Sequence, residues 1–534
     1  MTSSFNGLSI YQVYPRSFAD ANGDGVGDLR GITARLPYIA GMNVDAVWIS
    51  PFYPSPMKDF GYDVSDYCNV DPIFGSLNDF RELAATASKL DLLVMVDLVL
   101  SHTSDQHPWF VESASSRSNR KADWYIWVDG DKDTPPNNWL SIFGGSAWQW
   151  HEGRRQYYLH NFLVQQPDLD LHNPLVQEEL LNVMRFWLEL GVGGFRFDTL
   201  NYYFHDPLLR DDPLKPEGGR ALNAPDVNPY GRYQHDFSIN RPETLMFIER
   251  LRKLLDEYDA VGLGEVGADK HGHDLIAEYT RGDKRMHFCY DFSLLGGELE
   301  LEPILDTIRV GLENPDSNIC NTMSNHDTQR VVTRWGAHLD EKERDALARM
   351  LPVLLVGMRG ALCIYQGEEL GLTEADIPYE KIQDPYGKTF YPDFKGRDGC
   401  RTPMVWDETV PSAGFSLTEK TAEPWLPIPP EHLPLAVNRQ LAEKDSLLLW
   451  FRRVLAFQKA NAVLREGSMQ AGAKGSLLHI DRRLDGEGLS ICCNLGDEDV
   501  QLPPELAESE MVLASNYAEG RFAAYGCAVF TYSA

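Results

Sequence analysis

Four short apolar runs in this chain end in side chains that can move protons or attack carbon: Asp97 with His102, Arg196 with Asp198, Glu265, and the trio Asn325, His326 and Asp327. In "GGFRFD" side chains alternate between faces, so Arg196 and Asp198 share one side while Phe195 and Phe197 share the other. A charged pair on one face of a buried strand needs an explanation. Cleaving a glycosidic bond takes two opposed carboxylates: one attacks the anomeric carbon, the other protonates the leaving oxygen and then activates water. Asp198 and Glu265 are the natural pair. Arg196 beside Asp198 favours its ionised form, which suits a nucleophile. Glu265, among the small and apolar residues of "GLGEVG", is expected to rise toward the pKa of an acid. The competing reading of the same residues is a buried ion-pair network without chemistry.

Side chains so far apart in sequence converge only if a scaffold brings their strands together. Eight strand-like runs recur between helical patterns: "LSIYQVY", "DAVWIS", "LLVMVDLVL", "GGFRFD", "VGLGEV", "RMHFCYD", "NICNTMS" and "GALCIYQG". Strands alternating with helices predict a parallel sheet, and eight such units predict an α/β fold of the closed (β/α)8 TIM-barrel type. One helix is legible end to end: Asn173 caps it, Pro174 suits its first turn, and Gly191 stops it. The barrel is assigned to residues 1–102 and 171–465. About 90 residues separate the third and fourth runs, too many for a barrel connection, so a subdomain is predicted at 103–170. Its tryptophans, at 109, 124, 127, 139, 148 and 150, are expected mostly to pack its own core. Residues 466–534 read as a C-terminal antiparallel β-domain, with "SLLHIDRRLDGEGLSICCNLG" as two strands around a Gly-containing turn. The segments 201–243 and 370–430 are predicted loops. Both, with the insertion, leave the C-terminal face of the barrel, where active sites are built.

Composition narrows the partners. Forty-nine basic against seventy-nine acidic residues leave a net charge of −30, which repels nucleic acid and anionic lipid, while a neutral ligand meets no such penalty. Eight scattered cysteines without a CxxC pair predict buried free thiols. No leader-like or long apolar segment is found, so the expectation is a soluble cytoplasmic protein with no membrane partner. Composition does not decide between monomer and homodimer. His151, His160 and His172 are read as structural rather than as zinc ligands, and the pairs Asp211–Asp212 and Glu368–Glu369 as solvated or loop-stabilising.

"DANGDGVGD" offers side-chain oxygens from Asp20, Asn22, Asp24 and Asp28, and a carbonyl from Val26. Position twelve, counted from Asp20, is Gly31 instead of the glutamate an EF-hand needs. From the residues alone, a cation loop and a metal-free Gly/Asn/Asp turn both stand.

The segments "DLVLSH" (97–102), "GFRFDTLN" (194–201), "GEV" (264–266) and "SNHD" (324–327) occur in the order of the four sequence regions of the α-amylase superfamily, glycoside hydrolase family 13, which this chain resembles over nearly its whole length. "QPDLD" (166–170) resembles the fifth. The resemblance implies a retaining mechanism with Asp198 as nucleophile, Glu265 as acid/base and Asp327 as transition-state stabiliser. It implies that Arg196 orients the nucleophile and that His102 and His326 bind sugar hydroxyls. Within "GYDVSDY" it implies that Tyr62 stacks on the nonreducing-end glucose and Asp63 binds its hydroxyls, with Arg401 of "GRDGCRTPM" pairing with Asp63. A site closed in this way fits removal of single glucose units from short maltose-like substrates, with glucosyl transfer as a side reaction. The "DANGDGVGD" loop resembles the Ca²⁺ loop of oligosaccharide α-glucosidases, Mg²⁺ being the alternative. Thr199, after the nucleophile, leans toward α-1,4 over α-1,6 linkages by the same resemblance. Same-class alternatives are an oligo-1,6-glucosidase and a sucrose-acting enzyme, although no "RLDRD"-type segment of sucrose isomerases is present. A noncatalytic, transporter-associated relative is the alternative of another class.

Overall fold

In the computed structural model, which describes residues 5–216, 224–267, 272–290, 292–419 and 422–533, all eight predicted runs are parallel strands of one sheet. They are β1 (Ser9–Val13), β2 (Ala46–Ile49), β3 (Leu93–Leu98), β4 (Gly194–Phe197), β5 (Val261–Glu265), β6 (Phe288–Tyr290), β7 (Cys320–Thr322) and β8 (Ala361–Tyr365). Neighbours pair in sequence order and β8 returns to β1. A parallel bridge between Cys289 and Ile319 closes the ring between β6 and β7. The last residue of the "RMHFCYD" run, at 291, lies outside the described residues.

Period-2 alternation divides the core. Ile10, Trp48, Met95, Leu263 and Tyr290 fill the barrel interior, while Phe195, Phe197 and the other outward faces pack under the helices. The helix Pro174–Glu189 forms as predicted: the Asn173 side chain accepts from the Leu175 amide at 2.9 Å, and Gly191 takes φ +93° beyond the last turn.

Residues 103–170 carry a small antiparallel sheet of Trp127–Asp129, Gln156–Leu159 and Trp148–His151. Trp139 and Trp148 stack at 5.7 Å in its buried cluster. At the other end, Leu477–Leu484 and Glu487–Asn494 form the predicted hairpin, turned by Asp485 and Gly486, both at positive φ. Arg521–Ser533 joins this antiparallel sheet, which packs on helix Glu341–Gly357. The loop 201–243 contains only short 3-10 turns among its described residues, and 217–223 lie outside them. No helix among the described residues is long and apolar enough to cross a membrane. All eight cysteines are unpaired, seven of them buried.

Candidate active site

Strand register assembles the centre of the site. Asp97 on β3 is the direct partner of Arg196 on β4, and Glu265 on β5 that of Tyr290 on β6. These side chains enter the barrel mouth together. The fully buried Arg196 guanidinium donates from Nη1 to Asp97 (2.8 Å) and Asp198 (2.5 Å) and pairs through Nη2 with Glu265 (2.7 Å). Tyr290 Oη accepts from Arg196 Nη2 (2.9 Å) and donates to Glu265 (3.2 Å).

One guanidinium among three carboxyls has an electrostatic consequence. Burial pushes Asp198 and Glu265 each up to about 7 and Asp97 to about 6, and Arg196 opposes this without overcoming it. The rise expected for Glu265 is present. The depression expected for Asp198 is not, because burial, with the Asp97 charge beside it, outweighs Arg196. The network therefore retains a proton near neutral pH, shared between coupled groups.

Thr199 has φ +42°, an unusual conformation for a β-branched residue, and its backbone amide donates to Glu265 Oε2 at 3.0 Å. Its hydroxyl lies 3.2 Å from Ser101 Oγ and 3.3 Å from Asp198 Oδ2.

On the opposite wall, Asp327 receives Arg401 Nη2 (2.8 Å) and Arg397 Nη1 (3.0 Å), with His326 Nε2 at 3.1 Å from its other oxygen. Burial raises the Asp327 carboxyl, but His326, Arg397 and Arg401 outweigh it and hold the group below the usual carboxylate range. Arg397 also pairs with Asp59 (2.7 Å) and Asp384 (2.8 Å).

This arrangement corrects the expected pair of Asp63 and Arg401. Asp63 is fully buried, and its oxygens accept from Ser55 Oγ (2.7 Å) and the backbone amides of Lys58 (2.9 Å) and Asp59 (3.0 Å). Its own turn satisfies it, and it faces away from the cavity. Asp59 lines the cavity instead, paired with Arg397, while Arg401 is committed to Asp327 and to the His326 carbonyl (2.6 Å). Both Asp59 and Arg397 stand four residues before the expected partners, in segments offering two candidates of each charge, so no local signal separates them.

His326 is also corrected. It is fully buried, with Gln12 Nε2 at 2.7 Å from Nδ1 and Tyr62 Oη at 2.5 Å from Nε2, so its ring holds the wall rather than facing a ligand. Burial lowers its pKa, and the adjacent Asp327 carboxylate opposes this. Tyr62 lines the cavity, its ring stacked on His326 at 5.3 Å and its hydroxyl donating to Asp97 (3.1 Å). His102 lines it too, pushed down to about 4 by burial, with Nε2 at 3.1 Å from the Tyr62 carbonyl and from Gln166 Nε2.

The cavity holds about 100 Å³ above Asp198, Glu265 and Asp327. Phe143, Phe162, Tyr202, Phe292 and Tyr386 wall it, Tyr386 from the short helix Pro385–Phe390 inside the predicted loop 370–430 and Tyr202 from a 3-10 turn. None of the six tryptophans of the insertion reaches it.

The metal-loop residues Asp20, Asn22, Asp24, Val26 and Asp28 form one compact turn. Asp20 accepts from the Gly23 (2.6 Å) and Gly25 (3.0 Å) amides, and Asp24 from Val26 (2.9 Å). Asp28 caps helix Leu29–Ala40 through the Gly31 amide (2.7 Å). The donor set is all oxygen, as a hard cation requires. Among the described residues, no group of three or more His, Cys, Asp or Glu side chains converges as metal ligands.

The acidic pairs behave differently from expectation in one case. Asp211 and Asp212 stabilise their loop by accepting backbone amides. Glu368 and Glu369 are buried, not solvated: Glu369 accepts from Tyr11 (2.7 Å) and Tyr38 (2.6 Å), and burial pushes Glu368 up to about 8. His151 accepts the Arg154 amide, and His160 and His172 hydrogen-bond backbone carbonyls.

A strand-end acid pair, a third carboxylate held by arginines and an aromatic-walled cavity at the C-terminal face of a barrel are now in view. Residues 12–467 match the model of the alpha amylase catalytic domain. The chain belongs to the alpha-amylase family. It is 56% identical over 500 residues to a probable alpha-glucosidase of Rhizobium meliloti (strain 1021), covering 92% of this chain and 90% of the relative. It is 34% identical to an oligo-1,6-glucosidase of Parageobacillus thermoglucosidasius, with 95% and 94% covered. The solved structure of an alpha-glucosyl transfer enzyme superposes with a TM-score of 0.92 at 48% identity over 99% of both chains. Among members of the alpha-amylase family, this chain is thus similar to enzymes named for hydrolysis and for transfer.

Proposed function

We propose that this glycoside hydrolase is a retaining, exo-acting α-glucosidase that releases α-glucose from the nonreducing end of maltose and short α-1,4-linked oligosaccharides. The observation that carries the reading is the convergence of Asp198 and Glu265 on one buried guanidinium, Arg196, with burial raising both carboxyls to about 7. Asp198 attacks the anomeric carbon, the bond to the leaving oxygen breaks, and Glu265 gives that oxygen its proton. Glu265, now a carboxylate, then takes a proton from water as its oxygen attacks the same carbon, freeing Asp198 and a glucose of unchanged configuration. Asp327, held ionised by two arginines, faces the positive charge that develops on the sugar ring. Asp59, Arg397 and Asp384 close one end of the cavity with charged groups that match sugar hydroxyls, which supports removal of terminal units.

Similarity to a glucosyl transfer enzyme supports transfer to a sugar or alcohol hydroxyl in place of water. Thr199 beside Asp198 is the determinant proposed for α-1,4 preference, and similarity to oligo-1,6-glucosidases keeps the α-1,6 reading as the alternative. A proton NMR time course with maltose, isomaltose and sucrose tests both. First appearance of α-glucose from maltose supports the reading, first appearance of β-glucose refutes retention, and preference for isomaltose reverses the linkage assignment.

The Asp20–Asp28 loop is proposed to bind Ca²⁺ through Asp20, Asn22, Asp24, Asp28 and the Val26 carbonyl, on the strength of its all-oxygen donor set. Bound there, the ion would hold the turn that caps helix Leu29–Ala40. Chelation should lower the Tm by several degrees, with Ca²⁺ restoring it better than Mg²⁺. An unchanged Tm after verified metal removal refutes the role. A cytoplasmic setting is proposed from the eight unpaired cysteines.

A further inference from the structure

Three loops distant in sequence wall the cavity and meet at one buried side chain. Ile142 comes from the insertion after β3, Tyr386 from the segment after β8, and both line the cavity. Asn228, on the loop after β4, donates from Nδ2 to the Ile142 carbonyl (2.7 Å) and to Tyr386 Oη (2.9 Å). Its Oδ1 accepts the Tyr230 amide (3.0 Å), which fixes the turn Pro229–Arg232. The same turn reaches the cavity a second time, since Tyr230 Oη lies 2.7 Å from the hydroxyl of the lining residue Tyr202. His235 backs it, with its ring 3.8 Å from that of Tyr230 and Nε2 3.0 Å from the Tyr230 carbonyl.

Outside this latch the space widens. A second cavity of about 680 Å³, bordered by Ala224 and Pro225 just before the turn, shares Phe292, Asp327 and Tyr386 with the first. Tyr386 therefore stands on the partition between the inner cavity and the larger outer one. Its ring packs against Phe143 (5.0 Å), Phe394 (4.9 Å) and Phe390 (5.5 Å), contacts without a hydrogen bond. Directional restraint of its hydroxyl comes from Asn228.

We infer that Asn228 is a positioning residue that latches the three loops and thereby sets the size of aglycone admitted to the carboxylates. It touches no reacting atom. This rests on the α-glucosidase reading above and adds to it the group that limits substrate length. With the latch in place, the passage past Tyr386 stays narrow and a disaccharide is favoured over longer chains. With the donor amide removed, the insertion and the post-β8 segment separate and longer aglycones enter.

The test is Asn228→Asp, which keeps an oxygen for the Tyr230 amide but turns a carboxylate oxygen toward the Ile142 carbonyl. The measurement is the ratio of kcat/KM for maltotetraose to that for maltose, with Tm alongside. A rise of tenfold or more in the ratio, mainly through KM for maltotetraose, is expected, because a general loss of fold would lower both rates together. Tyr386→Phe, which deletes one of the two latch contacts and keeps the ring, should move the ratio the same way by about threefold. This second variant decides the matter if the first does not fold. A ratio within twofold of the parent's in either folded variant overturns the inference, while an intact protein active on maltose leaves the α-glucosidase reading standing. An intact protein inactive on every α-glucoside overturns both.

Discussion

Two arginine-centred networks face each other across the cavity and divide their cations differently among buried acids. On the β4 side one guanidinium, Arg196, serves Asp97, Asp198 and Glu265, and burial drives the last two up to about 7. On the loop side two guanidiniums, Arg397 and Arg401, serve Asp59, Asp327 and Asp384. Although burial raises all three, His326 together with the arginines brings Asp327 below the ordinary range, the arginines do the same for Asp384, and Asp59 stays at about 6. A third case completes the series: Glu368 is equally buried, no guanidinium donates to its oxygens, and it rises to about 8. Burial is common to all three; the number of cations per carboxyl differs. That ratio separates Asp327 and Asp384 from Asp198, Glu265 and Glu368, whereas at Asp59 burial prevails over the pairing with Arg397.

Removing the proposed nucleophile tests the comparison hardest. Asp198→Asn should cut kcat by roughly 10⁴-fold or more with the Tm nearly kept, measured on a sequence-verified preparation. Turnover near that of the unmodified protein would refute the nucleophile assignment. Arg397→Met should strip the loop side of half its positive charge and leave Asp59 and Asp384 buried without it. A loss of about 3–5 kcal/mol is expected, read as a lowered Tm and a kcat/KM reduced at least a hundredfold. If kcat/KM for maltose stays within threefold, the closed end of the cavity is not where glucose is held.

Tyr290→Phe removes the hydroxyl that joins Arg196 to Glu265, at an expected cost of about 1 kcal/mol in kcat, roughly fivefold. The pH profile carries the sharper information. Activity needs Glu265 protonated and Asp198 ionised, so the parent profile should be a bell centred near pH 7, falling on the alkaline side as the shared proton leaves. A profile that stays flat to pH 9 would contradict the shared proton.

Glu368→Gln is the mildest change. Below about pH 4.5 the native acid is protonated in both folded and unfolded chains and costs nothing. Between about 4.5 and 8 the unfolded chain ionises while the folded one retains its proton, so stability falls as pH rises through that window. The variant lacks this loss. Its Tm should match the parent's at pH 5 and exceed it by roughly 2 °C or more at pH 9, by scanning calorimetry. Equal melting at both values would mean that Glu368 has a compensating partner when charged.

The β4-side half of the comparison was legible in sequence because it is built on strands. Arg196, Asp198 and Glu265 stand at the ends of period-2 runs, and alternation alone puts them on the inner face. Tyr290, at the end of "HFCY", obeys the same rule and was within reach of it. The loop half was not legible. Asp63 and Asp59 lie in one acidic turn, and which of them faces the cavity depends on where Ser55 and two backbone amides present their hydrogens. Arg397 and Arg401 differ in the same way, through what each loop position meets across the barrel mouth.

By itself the sequence determined the eight strands and their order, the insertion, the C-terminal hairpin and the strand-end placement of Arg196, Asp198 and Glu265, since these follow from periodicity, capping and turn chemistry within a few residues. Only the tertiary structure decided that three acids share Arg196, that Asp59 with Arg397 replaces Asp63 with Arg401, and that Asn228 joins Ile142 to Tyr386. The reason is physical: protonation, pairing and partition at this site depend on which charges and donors arrive from other loops, and a side chain's own neighbours in sequence carry no record of that.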